Sequence, residues 1–130
     1  MDEHEEKIMS AHRNPAEIAV EFIEAFGRRD LTTMSDLVAP NIVFESPRGT
    51  IEGAPAVLEA IGQFAGAVVD VKILSVLGGA EEAMIMYDMV TGPFGTLRAA
   101  DHLLVRDGRI TTDRLVFDTH ELRRAADSAS

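Results

Sequence analysis

From Leu97 to Val105 the chain alternates with period two. Leu97, Ala99, Leu103 and Val105 fall in one register, and Arg98 and His102 in the other, wetter one. A strand turns alternate side chains to opposite faces, so this pattern predicts a half-buried strand. Asp101 sits in the apolar register. A carboxylate among apolar side chains has either lost its charge or found partners, because burying a bare charge is very costly. The surrounding chain decides whether Asp101 lies in a solid core or a hollow one.

The pattern upstream is helical. Asn14-Pro15-Ala16-Glu17 is a helix start, and Ile18, Phe22, Ala25 and Phe26 share one face before Gly27. Asp30 caps a short second helix carrying Leu31, Met34, Leu37 and Val38, which Pro40 stops. Asn41–Ser46 predicts a short strand, Pro47-Arg48-Gly49 a turn, and Thr50–Glu52 the returning arm. Gly53-Ala54-Pro55 opens a third helix with Val57, Leu58, Ile61, Phe64 and Ala65 inward. Strands follow over Val68–Leu77, Glu82–Thr91, Thr96–Arg106 and Ile110–Thr119, with Asp107-Gly108 as the strongest hairpin signal. His120–Arg124 adds a helical turn.

Helices followed by an antiparallel meander predict an α+β fold, a curved antiparallel sheet wrapped as a cone around three N-terminal helices. Residues 14–124 read as one domain, with flexible tails over 1–13 and 125–130. An open end on such a cone suits a pocket.

Composition narrows the chemistry. The 130 residues carry a formal net charge of -10, which argues against nucleic acid and anionic membrane surfaces as partners. There is no cysteine, so thiolate chemistry and disulfides are excluded. No segment reads as a signal peptide or membrane span, and the expected location is cytoplasmic. No His/Asp/Glu spacing suggests a metal site and no Gly-rich phosphate loop is present, so no metal or cofactor is expected. His102 has outward parity, and His4 and His12 lie in the N-terminal tail.

The turn Gly92-Pro93-Phe94-Gly95 sets the register of the two central strands. With Phe94-Gly95 as a two-residue loop, Asp88 stands opposite Asp101, and both point inward beside Met84, Met86 and Leu103. Two carboxyls that close cannot both ionise readily, which matches an acid with a base. Phe22, Phe26, Phe44, Phe64 and Phe117 have inward parity and read as core, and Ser46 offers an orienting hydrogen-bonder. Ala83, Ile85, Tyr87, Met89, Ala100, Leu104 and Val116 form an outer face too apolar for water. A second copy covering that face predicts a homodimer.

Ala25-Phe26-Gly27-Arg28-Arg29-Asp30-Leu31, Val43-Phe44-Glu45-Ser46-Pro47 and the segment from Ala100-Asp101-His102-Leu103 to Asp107-Gly108-Arg109-Ile110 resemble the NTF2-like fold. Within it, the chain is similar to the SnoaL-like and ketosteroid-isomerase-like proteins, over roughly residues 14–122. The resemblance implies the NTF2-like cone, with Phe22, Phe26, Phe44, Phe64, Leu115 and Phe117 walling its cavity. It does not name a reaction, since the superfamily holds isomerases, cyclases, dehydratases, epoxide hydrolases and non-enzymes. Asp101-His102-Leu103 matches the place of the isomerase's oxyanion-hole proton donor. That family's helix tyrosine falls at Phe22 and its general-base aspartate at Ser46, so its full set is not kept. Epoxide-hydrolase-like members use an Asp-Arg-Asp set; Asp88 is similar to the first Asp, Met86 replaces the Arg, and the second Asp falls near Leu115.

Two function classes follow. One is cofactor-free acid/base catalysis on a small hydrophobic molecule (isomerisation, cyclisation, dehydration or epoxide opening) with Asp101 and Asp88 as its catalytic residues. The other is a non-catalytic module that binds a small ligand.

Overall fold

Asn14 begins the first helix by capping it: its side chain accepts from the Glu17 backbone N–H at 2.9 Å and donates to the Glu17 carboxylate at 2.6 Å. The computed structural model describes residues 13–129. Helix α1 (Pro15–Gly27) is followed by α2 (Leu31–Leu37), β1 (Val38–Ser46), β2 (Gly49–Glu52), α3 (Ala54–Ala65), β3 (Val68–Gly78), β4 (Glu82–Thr91), β5 (Thr96–Arg106), β6 (Arg109–Phe117) and α4 (His120–Ala129). The N-terminal tail expected over 1–13 lies outside the described residues except for Arg13, which pairs with Glu21 at 2.6 Å. At the other end the helical turn expected over His120–Arg124 continues to Ala129, through residues read as tail. Asp118 accepts from the His120 N–H and Arg124 pairs with Glu121, so the start of this helix is held locally.

The strands form one six-stranded sheet in the order β2-β1-β6-β5-β4-β3. Its pairs are antiparallel except β1 with β6, which run parallel. The sheet is curved and does not close. Ile18, Phe22, Ile23 and Phe26 of α1, Met34 of α2, and Val57 and Ile61 of α3 fill its concave side against Ile85, Met89, Leu103 and Ile110. Among the described residues, no helix is long and apolar enough to cross a membrane.

Val38 leaves the helix to begin β1, which therefore starts before Pro40. Proline cannot donate to a ladder and is tolerated at a bulge. The pairing of β1 with β6 skips there, from Val38↔Ile110 to Val43↔Thr112.

Two irregularities decide which side chains enter the cone. Between β4 and β5 the pairing ends at Val90↔Thr96, leaving Thr91–Gly95 as a five-residue loop. The Thr91 hydroxyl donates to the Gly95 carbonyl at 2.7 Å and accepts from the Phe94 N–H at 2.9 Å, holding the wider loop in place of a two-residue turn. Asp88 consequently pairs with Arg98, three residues from the expected Asp101. An odd slip exchanges the faces of a strand. Ala83, Ile85, Tyr87 and Met89 are therefore buried on the concave side, although they were expected on the outer face. Met84 and Met86, expected in the pocket, lie outside at 47% and 43% exposure. Asp88 also lies outside, bonded to Arg98 at 2.8 Å.

The second irregularity is in the β5–β6 hairpin. Asp107 and Gly108 both have positive φ, 53° and 76°, as the two-residue turn between Arg106 and Arg109 requires. The register then shifts between Leu104↔Thr112 and Val105↔Ile110, leaving Thr111 as the extra residue. Its hydroxyl donates to the Leu104 carbonyl at 3.2 Å. Past this bulge Asp113, Leu115 and Phe117 share the inward face with Ile110, whereas unbroken alternation would have turned them out.

Candidate functional site

Three polar side chains meet on the concave face. Asp101 of β5 stands opposite Ile85 of β4 and Leu115 of β6; Tyr87 stands opposite Ala99, and Asp113 opposite Leu103. Tyr87, Asp101 and Asp113 thus lie on one diagonal across three adjacent strands, where long side chains reach one another. The Tyr87 hydroxyl donates to Asp101 Oδ1 at 2.6 Å. Asp113 lies diagonally across from Asp101 on the other side. Exposure is 2% for Tyr87, 2% for Asp101 and 1% for Asp113, so all three form the floor of the site rather than its rim.

Burial raises the pKa of both carboxyls, since the charged form loses its water. The two differ in their neighbours. Asp101 is held back by hydrogen bonds from Asp113 and Tyr87, which favour its ionised form. Asp113 is pushed well up by burial and then by the charge of Asp101. The Tyr87 phenol is also pushed well above its ordinary value, by burial first and by Asp101 next. These shifts order the three groups: the phenol holds its proton most firmly and Asp113 holds one more firmly than Asp101. Asp113 Oδ1 is left as a buried oxygen with no hydrogen-bond partner among the described residues.

This floor opens into a cavity of about 590 Å³, within the usual range for a small-molecule site. Its walls are mostly apolar. Of the residues expected there, Phe22, Phe26, Phe44, Ser46, Phe64, Leu115 and Phe117 line it. Phe64 stacks on Phe94 with centroids 6.4 Å apart and meets Phe117 at 6.1 Å, forming an aromatic wall near the open end. Leu103 is fully buried but packs in the core and does not line the cavity. Among the described residues no three His, Asp or Glu side chains converge as ligands for a metal.

The pair expected to be Asp101 with Asp88 is replaced by Asp101 with Asp113. Asp88 is screened by Arg98 on the outer face, which holds its pKa down. Tyr87 brings a phenol to the site from β4, where the resemblance had left Phe22 without a hydroxyl. A signal for Asp113 was present: it alternates with Leu115 and Phe117, as Asp101 alternates with Leu103 and Val105. Tyr87 had no comparable signal, because β4 is apolar in both registers.

A model of the SnoaL-like domain matches residues 19–112. None of the curated proteins matches the sequence significantly. Among solved structures, a protein from Kribbella flavida DSM 17836 is 35% identical, with 89% of this chain and 96% of that one covered and a TM-score of 0.85. An NTF2-like protein from Cytophaga hutchinsonii ATCC 33406 is 19% identical, covering 82% and 91%, at a TM-score of 0.71. A steroid delta-isomerase from Pseudomonas aeruginosa is 22% identical, covering 88% and 92%, at 0.68. The last two share the fold. With the domain match running from within the first helix through the strand that bears Asp101, over more than half of the chain, the chain belongs to the SnoaL-like domain family.

Proposed function

We propose that the cavity carries out proton transfer on a small, largely apolar molecule, with Asp101 and Asp113 as a paired base and acid. The observation that carries this reading is the placement of two fully buried carboxyls diagonally across adjacent strands at the floor of an apolar cavity, one of them bonded by the Tyr87 hydroxyl. A matched acid and base is what proton transfer at a carbonyl, hydroxyl or adjacent carbon requires. Asp101, ionised, takes the proton. Asp113 donates one, and its unpartnered Oδ1 accepts from a ligand hydroxyl. Tyr87 holds Asp101 in place and keeps it the more acidic of the two. The steroid delta-isomerase neighbour is consistent with such chemistry, and isomerisation is the first reaction to try.

The test joins a titration to a reaction. Carbon-detected NMR of the two carboxyls is expected to show both above the ordinary aspartate value of 3.8, Asp113 further than Asp101. Exchange of the α-protons of β-tetralone in deuterated water is expected to run faster with the protein, and to lose that acceleration in Asp101→Asn. Two ordinary carboxyl values, or exchange unaffected by the substitution, would overturn the reading.

For assembly, we propose a homodimer through the outer sheet face, on a different residue set from the one first expected. Met84, Met86, Leu77 and Val116 are exposed there. Charges of both signs interleave with them: Glu82 with His102, Arg114 with Glu45, and Asp88 with Arg98. A face of mixed sign can meet its own copy without the repulsion a net charge of -10 would otherwise bring.

A further inference from the structure

The cavity is polar at two places. One is the floor, with Tyr87, Asp101 and Asp113. The other is the rim, where Ser46, Arg48 and Gln63 line it. Phe44 stands opposite Asp113, and Arg48 lies four residues further along, in the turn between β1 and β2. At about 3.3 Å per strand residue, with the turn shortening the path, the two polar ends are roughly 10 Å apart. Apolar walls, including Phe22, Phe64 and Phe117, lie between them.

Among the described residues, Arg48 is the only basic one lining this cavity. Its backbone N–H donates to the Ser46 hydroxyl at 3.1 Å, which fixes the turn. Its guanidinium has no hydrogen-bond or ion-pair partner among the described residues. Most other arginines do: Arg13, Arg28, Arg98, Arg114 and Arg124 hold carboxylates, and Arg29 and Arg109 hold backbone carbonyls; Arg106 and Arg123 share its lack of a partner among the described residues but do not line this cavity. In a chain with 22 acidic and 12 basic residues, a cation left unpaired at the mouth of an apolar cavity is a local exception to the acidic surface. A guanidinium is also the side chain best shaped to grip a carboxylate through two parallel bonds.

We infer that the cavity selects amphipathic carboxylic acids, holding the carboxylate at Arg48 and an oxygen of the same molecule at the Tyr87–Asp101–Asp113 floor. The inference rests on the reading of the cavity as the ligand site and adds the substrate class to it. The apolar body of the ligand spans the aromatic walls. The anion stays at the half-wet rim, so it is never asked to give up its water beside the buried carboxyls, where it would be repelled. Arg48 therefore sets which end of the ligand enters first and places the opposite end at the proton-transfer groups.

The experiment uses δ-benzoylvalerate, an aryl ketone with a distant carboxylate, and its primary amide, which has the same shape without the charge. Affinities are measured by calorimetry, and the site of binding by shifts of the Tyr87 and Phe117 resonances. The acid is expected to bind about tenfold tighter than the amide, as a charge-assisted contact at a partly solvated site allows. In Arg48→Gln the two probes bind equally, at the affinity the amide shows for the unaltered protein. In Asp101→Asn the preference for the acid persists. Equal binding of acid and amide to the unaltered protein, or a preference that survives Arg48→Gln, overturns the role of Arg48 and leaves the proton-transfer reading intact. Failure of both probes to shift either resonance overturns the inference, while the carboxyl titration still judges the floor on its own.

Discussion

At the scale of the residue, the floor of the cavity stores its proton at a cost in stability. The Asp101–Asp113 pair is held above its ordinary value, so the folded protein binds a proton that the unfolded chain releases. Stability from this pair is therefore fully present below about pH 3.8 and is lost as pH rises through the folded-state value. Asp113→Asn, which keeps a donor for Asp101 without the proton, is expected to gain stability relative to the unaltered protein as pH rises from 4 to 7. Urea unfolding across that interval, compared between the two proteins, checks the sign. Tyr87→Phe acts in the opposite direction. It takes a donor from a buried carboxylate, and is expected to lose about 1–3 kcal/mol of stability at neutral pH and to raise the Asp101 pKa further. Asp101 was legible in the sequence because one charge interrupted an otherwise apolar register. Asp113 carried the same signal against Leu115 and Phe117, whereas Tyr87 did not, because β4 is apolar in both registers and its facing depends on the loop before β5.

At the scale of the element, turns and bulges carry the information that alternation lacks. The Asp107-Gly108 hairpin could be read directly, since both positions need the left-handed backbone that this pair favours. The loop before β5 could not. It is closed at Thr91, whose N–H and hydroxyl both donate to the Gly95 carbonyl and whose hydroxyl also accepts from the Phe94 N–H. Thr91→Val keeps the shape of the side chain and removes both hydroxyl bonds, leaving the Phe94 N–H unpaired; a loss of about 1–3 kcal/mol is expected in denaturant unfolding. The helices were legible through their caps, Asn14 and Asp30, which bond where the sequence placed them. The start of β1 was missed because Pro40 signals an end in isolation, whereas in the sheet it occupies a bulge beside β6.

At the scale of the whole molecule, the cone was the most legible feature, because the order of helices and strands constrains topology more than any single residue does. The proposed dimer belongs to this scale as well. Sedimentation is expected to give twice the 14.1 kDa of one chain at micromolar concentration. Met86→Glu, at an exposed position on the outer face, is expected to give a monomer whose helical content is unchanged. A dimer that persists in Met86→Glu would point to another interface. The extra residue at Thr111 has a consequence at this scale too. Because it sets which half of β6 looks inward, the gain or loss of one codon in the hairpin would exchange Asp113, Leu115 and Phe117 for Thr112, Arg114 and Val116 in a single event. Relatives that differ there by one residue in length would have inherited the same container with a different reagent in it.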